Sequence, residues 1–277
     1  RNEFVFQRGH DYTYKRCFTL AGGKLVDVGR ADGCTVEEME AGIGPKTAGI
    51  AYFESGRWGS EWVSLDQARE VADKHGIKLV VDAAGQIYPL DQFMRVARTG
   101  DVVAFGAKYI GSPHSTGICT GRSELVESAF LQNFIGFELA GIQGLARPYG
   151  RPYKTDRGEV MGVAVALRRW FSMNHEERLA VEEDKRSAFA RGLAGISGGT
   201  TSIPKEAQLG PNVTVFIHFD AGITGIDGHE VIKQLEEGDP PIWTRTHDDG
   251  GSIGIGVQML SDEEVETVVE RLRDIFA

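Results

Sequence analysis

Two short segments of the chain end an apolar run on a single ionisable residue. Leu79-Val80-Val81 precedes Asp82, and Val102-Val103-Ala104-Phe105-Gly106-Ala107 precedes Lys108. In open α/β sheets, ligands bind at the carboxyl ends of the strands. A carboxylate there is costly unless it is paired, and a lysine there would be desolvated, which makes it a usable amine nucleophile. Taken singly, Asp82 could cap a helix and Lys108 could extend to water.

The two residues carry more information as a pair. They lie 26 positions apart, at the ends of consecutive predicted strands, and small residues beside each leave room for a planar ligand. Pyridoxal phosphate requires a lysine for its Schiff base and a carboxylate that keeps its pyridinium nitrogen protonated. The pair therefore predicts a pyridoxal-phosphate site with Lys108 and Asp82 as its catalytic residues.

Other catalytic motifs are absent from the sequence. It has no phosphate-binding P-loop, no dinucleotide-binding glycine motif and no H-E-x-x-H zinc motif. The three cysteines, Cys17, Cys34 and Cys119, lack the spacing of a zinc site, and we expect them to be reduced thiols in a cytoplasmic protein. No metal site is predicted.

Strands and helices alternate in the first half of the chain. Five apolar segments predict buried strands: Glu3–Gln7, Lys24–Val28, Ala48–Phe53, Leu79–Asp82 and Val102–Phe105. Thr35–Gly42 and Ser64–His75 predict helices, and a capping box of Ser64 with Gln67 marks the start of the second, which Gly76 follows. The alternation predicts an α/β fold with a mostly parallel sheet.

The pattern changes near Gly150. From Asp156 to about Gly192 it is helical throughout, and five apolar residues fall on one helical face: Val160, Val163, Ala164, Leu167 and Phe171. A turn is predicted at Gly195–Ser202. The segments after it predict a strand, a helix, an antiparallel strand pair and a closing helix: Val213–Phe219, Gly228–Glu237, Ile242–Thr246 with Ile253–Met259, and Ser261–Phe276.

These changes of pattern divide the chain into three parts. We expect a large domain over residues 1–150, connecting helices over 151–194, and a small α+β domain over 195–277. The large domain would carry the pyridoxal-phosphate site, although its N-terminal part would be missing. No internal repeat is present.

Composition excludes several classes of protein. The 277 residues are 41% apolar and 25% charged, as in ordinary globular proteins, and they contain no apolar run long enough to span a membrane. The formal net charge of −10 disfavours nucleic-acid binding. Because the chain begins at Arg1 without Met or a signal sequence, we expect it to be a piece of a longer protein.

Three stretches around the predicted site carry a family resemblance. Asp82-Ala83-Ala84, Phe105-Gly106-Ala107-Lys108 and Ser115-Thr116-Gly117-Ile118-Cys119-Thr120-Gly121-Arg122 resemble the selenocysteine synthase-like group of fold-type-I pyridoxal-phosphate enzymes. The group includes bacterial L-seryl-tRNA(Sec) selenium transferase and D-glucosaminate-6-phosphate ammonia lyase. The resemblance spans nearly the whole chain, and it implies a fold-type-I structure with a large domain and a small C-terminal domain.

The resemblance also implies roles for individual residues. Lys108 would be the Schiff-base lysine, Asp82 would hold the pyridinium nitrogen, and His10 would stack on the cofactor ring. Arg8 and Arg245 would bind anionic groups of the substrate. The alternatives are that His10 is a partly exposed loop histidine and that the arginines are ordinary surface residues.

Phosphate binding is less well defined by the resemblance. Lys154, together with Arg151, could reach a substrate phosphate, although a basic turn before a helix is the simpler interpretation. Residues 105–107 lack the hydroxyl that contacts the cofactor phosphate in this group. Ser112 is a candidate to replace it, as are Ser115, Thr116 and a neighbouring subunit.

The resemblance implies an α,β-elimination that releases ammonia from a small amino acid or amino-sugar acid, catalysed by a homodimer or higher homo-oligomer. Selenium transfer to seryl-tRNA and transamination are alternatives within the same fold. An acidic chain without a basic arm favours a small molecule over tRNA. A relative that keeps the fold without the cofactor would be expected to lack Lys108 or Asp82, and both are present.

Overall fold

The structure, a computed structural model, describes eight stretches of the chain: residues 1–10, 13–55, 58–133, 149–150, 152–196, 198–202, 214–247 and 250–276. The chain divides into two compact units, Arg1–Phe171 and Ser172–Ala277. The boundary lies inside the segment 151–194 that the sequence predicts to connect two domains. None of the helices in the described stretches is both long and apolar enough to cross a membrane.

A six-stranded sheet forms the frame of the first unit. Its strands are β1 (Glu3–Gln7), β2 (Lys24–Val28), β3 (Thr47–Phe53), β4 (Lys78–Asp82), β5 (Val102–Gly106) and β6 (Gly117–Gly121). They lie in the order β2-β1-β3-β4-β5-β6, and every neighbouring pair is parallel except β5 with β6. The predicted mostly parallel sheet is therefore confirmed, and the carboxyl ends of five strands lie along one edge.

Six helices accompany this sheet in the described residues: α1 (Arg16–Thr19), α2 (Val36–Ala41), α3 (Leu65–His75), α4 (Leu90–Thr99), α5 (Ser123–Gln132) and α6 (Arg157–Ser172). Helix α3 begins at the predicted capping box of Ser64 with Gln67 and ends at Gly76, whose φ of 60° is the left-handed conformation that glycine favours. Its apolar face, including Ala68 and Val71, is buried against β3 and β4.

Two elements near the candidate site are not predicted by the sequence pattern. Helix α4 begins after Pro89, where no side chain caps the helix, so the usual start signal is missing. Strand β6 begins and ends with glycine, a residue that is depleted in strands. Tertiary packing stabilises α4 by burying Phe93 and Val96, and antiparallel pairing with β5 holds β6.

The helical pattern over 156–192 forms two helices, because α6 ends at Ser172 and α7 (His175–Gly192) begins at an Asn174 cap. The predicted apolar face is wrong in part, since Val160 and Phe171 are 51% and 44% exposed. Ala166 and Trp170 are buried instead, and the Trp170 indole N–H donates to the Ile87 carbonyl at 2.9 Å. The buried face of α6 is therefore the one on which the Trp170 indole finds a hydrogen-bond acceptor.

The second unit is built on a four-stranded antiparallel sheet in the order β7-β8-β10-β9. Its elements after α7 are β7 (Gly199–Ser202), β8 (Thr214–Phe219), α8 (Ala221–Thr224), α9 (Gly228–Glu236), β9 (Arg245–His247), β10 (Ser252–Gly256) and α10 (Asp262–Ile275). The predicted antiparallel pair is confirmed as β9 with β10. The predicted turn at Gly195–Ser202 is wrong in its second half, which forms β7, and residue 213 of the predicted strand lies outside the described residues.

Asp101 fastens the amino-terminal ends of β4 and β5. Its side chain is 1% exposed, and Oδ2 accepts hydrogen bonds at 2.7 Å from Arg69 Nη1 and from the Leu79 backbone N–H. Oδ1 forms an ion pair with Arg122. Burial alone would raise the pKa of Asp101, but the hydrogen bonds from Arg69 and Leu79 and the two positive charges outweigh burial and lower it.

Replacing Asp101 with asparagine is expected to lower the free energy of unfolding by about 2–3 kcal/mol, because it weakens bonds to a buried charge. Denaturant titration at neutral pH measures this loss. The matched control is Asp73→Asn, which removes an exposed carboxylate 2.8 Å from the same arginine and should cost less than about 1 kcal/mol.

The pH dependence gives a second check on Asp101. A carboxylate whose pKa is lowered by folding stabilises the protein above its ordinary value of 3.8, and this stabilisation is lost as the pH falls below that value. The difference in stability between wild type and Asp101→Asn should therefore shrink in acid. Equal losses for the two aspartate variants, or a constant difference down to strong acid, would contradict this account.

Candidate active site

Asp82 is the last residue of β4, at the edge where the parallel strands end. It pairs with Phe53 of β3 on one side and Ala104 of β5 on the other, and it is partly buried. Its Oδ1 accepts a hydrogen bond from the Ala84 backbone N–H at 3.0 Å. The carboxylate is thus oriented by the chain that leaves the strand, at the edge where the sequence predicts a ligand.

Lys108 follows β5 in a short 3-10 turn. Backbone hydrogen bonds of 2.9 Å join residues 83–84 to residues 104–106, so the chain leaving β4 stays beside the chain that leads to Lys108. Asp82 and Lys108 therefore leave neighbouring strands at the same edge of the sheet. This is the arrangement that their spacing in the sequence predicts.

The expectation that the Lys108 ammonium is desolvated is wrong for this structure. Lys108 is exposed, and its Nζ lies 5.0 Å from the centroid of the Tyr109 ring. The turn begins as soon as the strand ends, so the side chain leaves the buried layer and its ammonium faces the Tyr109 ring. The amine is accessible from solvent and free of the apolar walls that the sequence suggested.

A groove of about 530 Å³ opens on the face of the sheet that carries Asp82. Its apolar lining includes Phe4 of β1, Phe18 of α1 and Ala104 of β5. Arg1 and Asp82 are the charged residues that line it. An apolar trough with a carboxylate in its wall suits a planar ring that carries a positively charged nitrogen.

Ser112 lies in the turn that follows Lys108. Its hydroxyl accepts a hydrogen bond from the Thr116 hydroxyl at 3.0 Å, and the preceding Gly111 has a φ of 86°, in the left-handed region. A Cβ at Gly111 would lie 3.9 Å from a guanidinium nitrogen of Arg169 in α6. The structure thus adds Arg169 to the candidate residues of this turn. Gly111 and Arg169 lie 58 positions apart, and no local sequence pattern signals that they approach each other.

His10 is buried in a cluster of aromatic rings and is 4% exposed. Its ring stacks on Trp58 with centroids 4.0 Å apart and an interplanar angle of 8°, and Trp62 and Tyr52 lie within 5.4 Å. Burial lowers the pKa of His10 to about 4, so the imidazole is neutral at pH 7. One ring face is thus taken by an indole, and stacking of His10 on a cofactor stays a prediction.

Gly9 makes room for this cluster. A Cβ at Gly9 would lie 2.0 Å from the Trp62 ring and 2.4 Å from the Ala31 carbonyl oxygen, and a backbone oxygen cannot move aside as a side chain can. Gly9→Ala is therefore expected to lower the free energy of unfolding by about 1–3 kcal/mol. Gly44→Ala is the control, because nothing lies within 4 Å of a Cβ there. Equal stability of the two variants in denaturant would contradict the close packing.

The predicted substrate-binding cations are all exposed. Arg8 lies in the turn directly after β1, at the same sheet edge as Asp82. Lys154 precedes α6 in the first unit, and Arg245 begins the edge strand β9 of the second. Arg151 lies outside the described residues. Contact of these residues with a substrate stays a prediction.

Metal ligands do not converge in the described stretches of the chain. No group of three or more histidine, cysteine, aspartate or glutamate side chains is positioned there to hold an ion. The candidate site therefore rests on a carboxylate, an amine, a hydroxyl and guanidinium groups.

Two known proteins are similar over nearly the whole chain, whereas no protein-family model matches it. The 5'-C-glycyluridine monooxygenase-decarboxylase of a Streptomyces species is 26% identical over 284 residues, which cover 99% of this chain and 67% of that protein. The D-glucosaminate-6-phosphate ammonia lyase of Salmonella typhimurium is 27% identical over 281 residues, covering 99% and 70%. Both relatives are named as enzymes.

Solved structures show the same architecture. A D-glucosaminate-6-phosphate ammonia-lyase structure matches with a TM-score of 0.74 at 24% identity, covering 99% of this chain and 70% of that one. A serine palmitoyltransferase of S. paucimobilis, solved with bound pyridoxal phosphate and myriocin, matches with a TM-score of 0.56 at 12% identity over 99% and 66%. The fold is that of the fold-type-I pyridoxal-phosphate-dependent enzymes, as the sequence predicts.

Proposed function

We propose that this protein binds pyridoxal phosphate through Lys108 and Asp82 and catalyses an ammonia-lyase reaction on an amino-sugar acid or small amino acid. The observation that carries the proposal is the similarity, over 99% of the chain, to a D-glucosaminate-6-phosphate ammonia lyase. The shared fold and the strand-end positions of the two residues support it. We also propose that the chain belongs to the selenocysteine synthase-like group.

The residues at the sheet edge fit this cofactor. The partly buried Asp82 carboxylate can hold a protonated ring nitrogen, and the apolar groove beside it can take a planar ring. The exposed amine of Lys108 lies one strand away. Ser112 and the Arg169 guanidinium near Gly111 supply a hydroxyl and a positive charge for a phosphate.

When bound, pyridoxal phosphate supplies an electron sink for negative charge at the substrate α-carbon. Lys108 Nζ would hold the cofactor, and the same amine would take the proton from that carbon. The negative charge of Asp82 would keep the ring nitrogen protonated, and the hydrogen bond from the Ala84 N–H orients this carboxylate. Loss of a β-hydroxyl as water, followed by hydrolysis, leaves a 2-keto acid and ammonia.

The anionic groups of such a substrate need positive partners. D-Glucosaminate 6-phosphate carries a carboxylate and a phosphate, and we propose Arg8 and Lys154 of the first unit as partners for these groups, with Arg245 as an independent candidate in the second unit. All three are exposed and can be reached by a ligand from solvent. The acidic balance of the chain supports a small molecule over tRNA as the substrate.

Similarity to the 5'-C-glycyluridine monooxygenase-decarboxylase favours a second candidate function. In that case the substrate would be an amino acid joined to a nucleoside. The reaction would consume O₂ and release CO₂. Lys108 and Asp82 would bind the same cofactor. The two candidates differ in the fate of the substrate carboxylate, which a lyase retains.

The test is to add pyridoxal phosphate to the purified protein, record its visible absorption spectrum, and then supply D-glucosaminate 6-phosphate or 5'-C-glycyluridine. Ammonia and a 2-keto acid formed from the first compound, without O₂ uptake, would support the lyase. O₂ uptake and CO₂ release with the second would support the alternative. A protein that shows no visible band with the cofactor would contradict both.

We further propose that the protein acts in the cytoplasm as a homo-oligomer. Reduced, unpaired cysteines support the compartment, and the resemblance to fold-type-I enzymes supports the assembly. Size-exclusion chromatography with light scattering measures the oligomeric state. A monomer that binds the cofactor and turns over substrate would overturn the proposed assembly.

A further inference from the structure

Gln7, the last residue of β1, is hydrogen-bonded to Val63, which directly follows the segment that carries Trp58 and Trp62. Its Oε1 accepts from the Val63 backbone N–H at 2.9 Å, and its Nε2 donates to the Val63 carbonyl at 3.0 Å. The side chain is 1% exposed. Because one bond goes to a backbone N–H and the other to a backbone carbonyl of Val63, they fix which end of the amide is nitrogen.

This orientation determines the state of His10. The Gln7 Nε2 also lies 3.1 Å from His10 Nε2, and an amide nitrogen can only donate. His10 Nε2 must therefore accept, which leaves the proton of the neutral imidazole on Nδ1. The lowered pKa of His10 agrees with a ring that is uncharged at neutral pH.

The resulting Nδ1–H has no hydrogen-bond partner among the described residues. The rings that surround His10 belong to Phe6, Tyr52, Trp58 and Trp62, and the Tyr52 hydroxyl is engaged with the Val63 carbonyl at 3.0 Å. Buried donors in native proteins are almost always paired. An unpaired donor at the carboxyl end of a parallel strand is therefore placed where a ligand atom can satisfy it.

The segment 58–62 that covers His10 faces solvent on its outer side. Trp58 and Trp62 are only partly buried, and residues 59–61 between them are exposed. A ligand that displaces the Trp58 indole would break the 2.7 Å hydrogen bond from its N–H to the Phe53 carbonyl, and it would then reach the imidazole without disturbing β1 or the hydrogen bonds of Gln7. Those bonds hold Val63, at the far end of this segment.

We propose that Gln7 is a positioning residue that fixes His10 as a neutral Nδ1–H donor to an oxygen of the bound cofactor or substrate. The inference rests on the proposed function, because it takes the ligand to be pyridoxal phosphate or the amino acid bound to it. His10 would then contact the ligand through the Nδ1–H on its ring edge, in addition to any stacking through a ring face. Gln7 acts only through His10.

Histidine-selective ¹⁵N NMR of the wild-type protein tests the first step. We expect one of the seven histidines, identified by its loss in His10→Gln, to carry its proton on Nδ1 near neutral pH. Pyridoxal phosphate alone should shift that Nδ1–H signal if the acceptor belongs to the cofactor. A shift that requires D-glucosaminate 6-phosphate in addition would place the acceptor on the substrate.

The variant Gln7→Met tests the positioning role. It removes the donor to Nε2, and we expect His10 to shift toward the Nε2–H form and the Kd for pyridoxal phosphate or substrate to rise about tenfold. Gln234→Met is the control, since it removes an amide that bonds only Glu230 within α9. If Gln7→Met does not fold, the wild-type spectrum still decides the tautomer.

The outcomes separate this inference from the proposed function. A wild-type protein that does not bind pyridoxal phosphate contradicts the proposed function itself. A protein that binds the cofactor with His10 protonated on Nε2, or with an Nδ1–H signal that neither ligand moves, overturns this inference alone. Retention of the Nδ1–H form in folded Gln7→Met would overturn the role of Gln7.

Discussion

Lys108→Ala is expected to abolish the visible absorption band that pyridoxal phosphate gives with the protein and to lower kcat by more than about 10³-fold. The amine both holds the cofactor and moves the α-proton in the proposed reaction, so one substitution removes two functions. Absorption spectra and ammonia release measure the two effects, and borohydride reduction followed by mass spectrometry of the peptide identifies the lysine that holds the cofactor. Because Lys108 is exposed, the substitution should leave the stability unchanged.

The control for this prediction is Lys78→Ala. Lys78 is an exposed lysine at the opposite end of the neighbouring strand β4, and its loss should change neither the spectrum nor turnover. Borohydride labelling of another lysine in the wild-type protein would contradict the assignment of Lys108. Full activity in Lys108→Ala would do the same.

Asp82→Asn is expected to lower kcat/KM by about 10²–10³-fold, which is typical of removing one electrostatic contact to the reacting system. An amide cannot hold the ring nitrogen protonated, so the electron sink weakens while Lys108 still attaches the cofactor. We therefore expect the visible band to persist and to differ in position or in its pH dependence. The combination of a retained band and lost turnover distinguishes Asp82 from Lys108.

Asp91→Asn is the matched control, because Asp91 is an exposed carboxylate in the first turn of α4. It should behave as wild type in both assays. A second variant, Asp82→Glu, keeps the charge and should recover part of the lost activity. Complete loss of the visible band in Asp82→Asn would show that the carboxylate is needed for binding, which would overturn the proposed division of roles.

Much of the first sheet could be predicted because its strands are apolar runs bounded by turn residues. Strands β1 and β2 begin and end at the predicted residues, and β3 to β5 differ by one residue at an end. The capping boxes at Ser64 and Ser261 mark the starts of α3 and α10 for the same local reason. These elements are specified by residues within one turn or strand of each other.

The parts that could not be predicted depend on contacts distant in sequence. Trp58 meets His10 across 48 positions, and neither residue carries a local signal for that stacking. Hydrogen bonds to Val63 orient the side-chain amide of Gln7. The packing of α6 brings Arg169 near Gly111. The exposure of Lys108 depends on where the 3-10 turn begins, and the sequence pattern places the end of β5 only within a residue or two.

The position of Asp101 has a consequence for how this protein can change. The buried carboxylate and its arginines hold β4 and β5 at their amino-terminal ends, whereas Asp82 and Lys108 lie at the other ends of the same two strands. The residues proposed to set the chemistry are therefore distinct from those that hold β4 and β5 together. A library randomised at positions 82 and 108 should yield mostly folded proteins, whereas positions 7 and 9 of the same edge should be kept fixed because Gln7 and Gly9 are closely packed.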